Sequence, residues 1–100
     1  MSSSYSSGAL TLKANAAYTT YTATLAAASW TNATPSTYTY SNTSLKCGSL
    51  GTTSPIITCT NNIAEYSAIT SAVATAGTGI VFTAPTAPTS AIDITILDFQ

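Results

Sequence analysis

Residues 79–97 read GIVFTAPTAPTSAIDITIL, and their alternation sets the fold class. Within 91–97 (AIDITIL), Ile92, Ile94 and Ile96 alternate with Asp93, Thr95 and Leu97. Successive side chains of a strand point to opposite faces, so this period of two builds one isoleucine face for a core. Residues 79–84 (GIVFTA) do the same with Ile80 and Phe82, and Ala76-Gly77-Thr78-Gly79 supplies the permissive backbone of a tight connection before them. Ile80, Phe82, Ile92, Ile94 and Ile96 are the predicted core. The two strands and the segment preceding them are expected to be neighbours.

Working backwards, 63–75 (IAEYSAITSAVAT) carries two periods. Asn61-Asn62 can start a helical turn across 63–66, and a strand follows over about 68–75 in keeping with the β-rich surroundings. Shorter strands are read at 56–60 (IITCT), 37–40 (TYTY, continued or followed by 44–47), 19–25 (TYTATLA) and 9–13 (ALTLK). Pro35, Pro55, Pro85 and Pro88 fall between these runs, with turns about every 8–12 residues, the spacing of a β-sandwich or barrel. The expected fold is all-β: a single antiparallel β-sandwich, jelly-roll-like, over 9–100, preceded by a flexible N-terminal arm at 1–8 (MSSSYSSG).

Composition narrows the partners. The chain has 100 residues and five charges, Lys13, Lys46, Glu65, Asp93 and Asp98, for a net charge of −1, and it has no His. At 5% charged it stands far below the roughly 25% of ordinary domains. Its 21 Thr and 14 Ser replace ions with hydroxyls as the means of staying in water. Two lysines 33 positions apart make no phosphate-binding patch, so nucleic acid is not an expected partner. No window approaches 18 apolar residues, so no membrane-spanning helix is expected, and 1–8 lacks the features of a secretory signal. With 18 Leu, Ile, Val and Phe in all, the core is thin, and association should add to its stability.

Chemistry finds few handles. There is no histidine to act as a base, no G-x-S-x-G elbow and no Walker-type phosphate loop. Asp93 and Asp98 are five apart on one strand and therefore point to opposite faces. The reading is of a protein that is no enzyme and takes no cofactor and no metal. Cys47 and Cys59, separated by an 11-residue stretch that could fold as a hairpin loop, read as two buried free thiols in a reducing compartment or as a disulfide. The aromatics are the one binding device in view. Tyr18, Tyr21, Trp30, Tyr38, Tyr40 and Phe99 are the expected contact residues; two or three of the chain's Tyr and Trp side chains can fill the core while the others line a subunit interface, with sugar contact as the alternative for the Tyr and Trp side chains. The five charges are expected to mark a solvated rim.

The order of features over 55–97 carries a resemblance. Ile56-Ile57 after Pro55, the acidic-aromatic pair Glu65-Tyr66, the strand ending in 74–78 (ATAGT), Ile80 to Phe82, Pro88-Thr89-Ser90 and the aliphatic strand 92–97 follow one another in turn. In this the stretch resembles a small β domain of tailed-bacteriophage head-fibre, tail-fibre and capsid auxiliary (decoration) proteins. The resemblance implies a virion component made in the host cytoplasm, a homo-oligomer such as a trimer, with major capsid or other virion proteins as partners. Two other readings are kept beside it: a receptor- or glycan-binding fibre module, and a non-viral self-assembling filament subunit.

Overall fold

The computed structural model describes residues 17–100. The expected arm at 1–8 and strand at 9–13, with Lys13, lie outside them. Six strands and one short helix follow in order: β1 (Tyr18–Leu25), β2 (Ser36–Ser41), β3 (Ile56–Cys59), α1 (Ile63–Ser67), β4 (Ser71–Thr75), β5 (Gly79–Ala84) and β6 (Ile92–Phe99). They form two three-stranded sheets, β1-β6-β3 (sheet I) and β2-β5-β4 (sheet II), antiparallel throughout. The chain is an all-β sandwich.

The alternation in β6 is what makes the two layers one core. Ile92, Ile94 and Ile96 are buried, with Leu25, Ala23 and Tyr21 of β1 on one side and Cys59 and Ile57 of β3 on the other, in register. Ile80, Phe82 and Ala84 of β5 form the opposing wall, and Tyr38 and Tyr40 pack at its flank. Burying a side chain of this size stabilises a fold by roughly 1.5–3 kcal/mol. All five residues predicted as core are in it.

One expectation about pairing is corrected. β5 does not lie beside β6. Residues 85–91 carry the chain from sheet II to sheet I. The physical reason is in the connection: Pro85 and Pro88 have no N–H to give to a ladder, and the segment is longer than the two to five residues of most hairpins. β5 pairs instead with β4, through a turn in which Gly77 takes φ +72°. At Gly79, φ is +148° and a Cβ would collide with the Tyr40 carbonyl, so glycine is required where β5 meets the end of β2.

Two further differences concern loops. Residues 44–47 form no strand; they close one end of the sandwich, with Leu45 and Cys47 buried in the core. The helical turn is present as α1, but Asn62 makes no side-chain cap. It adopts a left-handed conformation, and its amide donates to the Ala91 carbonyl, tying α1 to the start of β6.

Candidate functional site

The three acidic residues show how few charges the fold spends on solvent. Asp98 was expected on the solvated rim, and it is 0% exposed. β6 runs two residues further than 91–97, so the inward phase that buries the isoleucines also turns Asp98 inside. Its carboxylate accepts the backbone N–H groups of Lys46 at 2.8 Å and Cys47 at 2.9 Å, holding the 45–47 loop over the end of the core. Burial, and then the Asp98 charge, push the Cys47 thiol above its ordinary pKa.

Asp93 points to the opposite face of the same strand, as the five-residue spacing requires. It accepts Thr24 Oγ1 at 2.7 Å and Asn61 Nδ2 at 2.9 Å, while its own N–H donates to Asn61 Oδ1 at 2.8 Å. Glu65 on α1 accepts the Thr89 and Ser90 N–H groups, with the Thr89 bond the shorter at 2.6 Å. That Thr89 bond is the main cause that holds the Glu65 carboxyl below its ordinary pKa. Each carboxylate is thus a clamp on a neutral segment of chain. Lys46 is exposed.

The outer faces of the sandwich are made of hydroxyls and a few aliphatic groups. On sheet I, Thr22, Thr95 and Thr58 stand in one row across three strands, with Thr20, Leu97 and Ile56 in the next. Thr22, Thr24, Thr60, Thr95 and Asp93 line a shallow hollow of about 540 Å³ on this face. On sheet II the matching row is Thr39, Val81 and Val73, with Val73 61% and Val81 40% exposed. Asp93 is the one charged residue of these strands that faces outward.

The six expected contact residues divide between surface and interior. Tyr18 is 51% exposed and meets Phe99 edge-on, ring centroids 6.3 Å apart, at one end of sheet I's outer face. Tyr21 is half-buried against the core, and so are Tyr38 and Tyr40, whose hydroxyls join Thr24 O and Asn42 Nδ2. Trp30, at 7% exposure, is a core residue that packs on Tyr38 at 5.6 Å. The structure therefore brings Tyr18 and Phe99 together and does not gather the six into one patch.

No family model, curated protein or solved structure matches this chain.

The thiols are both free. Cys59 pairs across to Ile94 while Cys47 sits at Asp98, four residues further along β6, or about 13 Å at strand rise, so the 11-residue stretch does not bring them together. What sequence reasoning missed was the hollow around Asp93. The signal was the T-x-T-x-T run Thr20, Thr22, Thr24, which places three hydroxyls on one face of β1 opposite the outward phase of β6.

Proposed function

We propose that this chain is a structural subunit of a tailed-phage particle, a capsid auxiliary, decoration or head-fibre protein, that works by self-association and by binding the particle surface. The observation that carries the reading is the make-up of the two outer faces. Among the described residues they offer threonine and uncovered aliphatic side chains with Asp93 as their only ion. Such a surface is cheap to cover: Ser, Thr and Ala lose little rotamer freedom on burial, and no unpaired charge has to be desolvated. The resemblance over 55–97 supports the same reading from the sequence side.

Light scattering on the purified chain, alone and with empty capsids, tests it. The expected result is a discrete oligomer that adds to capsids. A strict monomer that ignores them would sink the proposal.

The hollow on sheet I favours a second reading, a glycan-binding module. Asp93, Asn61 and the surrounding threonine hydroxyls are the polar groups that orient a sugar, although Asp93 already holds two donors. Glycan-array binding that Asp93→Ala abolishes, in a protein shown to be folded, would establish this in place of the first.

A further inference from the structure

We infer that β4 is a self-complementary edge, and that two copies of this chain join by antiparallel pairing of β4 with β4 about Val73, merging the two copies of sheet II into one six-stranded sheet. This rests on the assembly reading above and names the surface it uses.

Four observations lead to it. β4 is an outer strand of sheet II, bonded on one side to β5, so half of its backbone N–H and C=O groups point away from the sheet. Ser71, Ala72, Val73 and Thr75 are exposed, while Ala74 is half-buried against the core with the 51–54 loop beside it. The strand itself carries no lysine, no other charge and no proline to blunt its edge. Finally the sequence Ser-Ala-Val-Ala-Thr reads nearly the same in both directions. An antiparallel two-fold pairing puts Val73 opposite the second copy's Val73, each Ala72 opposite an Ala74, and each Ser71 opposite a Thr75. A contact in which the same patch meets itself closes after two copies.

Side chains reinforce the backbone pairing. Val73 and Val81 are neighbours in register on the outer face. Joining two copies makes a row of four valines across the seam, and cross-strand aliphatic pairs of this kind add to sheet stability.

The other edges are poorer seams. β2 already has Thr31 along it, where Thr31 N–H donates to Thr37 O and Thr37 N–H donates to Thr31 Oγ1. β3 has four residues and follows Pro55. β1 presents mainly threonine on its outer face.

The test uses the full chain in two arms. Scattering against concentration should give a species of twice the 10.1 kDa chain mass. Val73→Lys, at an exposed position, should stay folded by circular dichroism and weaken that species by at least about tenfold, whereas Thr86→Lys in the β5–β6 connection should leave it unchanged. In the second arm, Val73→Cys in a Cys59→Ser background should oxidise to a covalent dimer, because opposed antiparallel residues lie about 4.5–5.5 Å apart at Cα, inside the range a disulfide spans. In the same background, Ser71→Cys alone should give no covalent dimer and should cross-link when mixed with Thr75→Cys. An assembly that forms but ignores Val73→Lys and gives no register-specific cross-link overturns this inference and leaves the assembly reading standing. A chain monomeric at every concentration and inert to capsids overturns both.

Discussion

Asp98 shows what one side chain decides in this protein. A carboxylate with no exposure has to be satisfied by donors, and here two consecutive backbone N–H groups face it. Asp98→Asn keeps one acceptor oxygen but turns an N–H₂ toward those same donors. The expected loss is about 1.5–3 kcal/mol, the range for hydrogen bonds to a charged group, read from urea unfolding midpoints; an unchanged midpoint would remove the clamp role. Beside it, the Cys47 thiol is buried and held protonated by that burial and by Asp98. A thiol reagent should therefore label Cys59 in the native protein and Cys47 only on unfolding. Two equal rates would contradict this. Asp98 was not legible in the sequence, because an acid after an aliphatic run reads as the end of a strand and its partners are backbone groups 51 and 52 positions away.

Among the elements, those legible in the sequence are the ones whose own residues carry a period. β5 is found at the residues its alternation marks, and β6 with its isoleucine face is found and then extended. Less was legible about which strands pair. Two prolines in a seven-residue connection were the available sign that β5 and β6 part company. The connection is held from α1 by Glu65, and this gives a pH dependence. The carboxyl's pKa is lowered in the fold, so its contribution is fully present above the unfolded value, about 4.3, and is lost as pH falls through the lower folded value. Melting curves of the wild type and Glu65→Gln should therefore differ at neutral pH and converge in acid, as the pH falls through the lowered folded value. A gap that persisted in acid would mean that Glu65 acts by packing rather than by charge.

At the level of the whole molecule, five charges, three of them carboxylates clamped on neutral donors, leave little for salt to screen. The melting temperature should move by no more than about 2 °C between about 0.01 and 1 M sodium chloride, since only surface ion pairs separated by water respond strongly to the Debye length. A larger change would expose an electrostatic term outside the clamps described. The candidate surface was legible only as composition: hydroxyls in place of ions could be counted, but which faces carried them depended on register between strands far apart in the chain.

β6 has one more property, which concerns the order in which the chain is made. It is the middle strand of sheet I and pairs with both β1 and β3, yet it follows them in synthesis, β1 by some seventy residues. Until β6 is available, those two strands lack their mate and the Phe82 wall lacks the isoleucines that cover it. Sheet II can close beforehand, since β2, β4 and β5 all precede β6. The order of the strands in the chain therefore makes sheet I wait for its last-made strand, and until β6 docks the apolar wall of β5 has no cover, which leaves a fold built on such non-local pairings exposed to association with its neighbours.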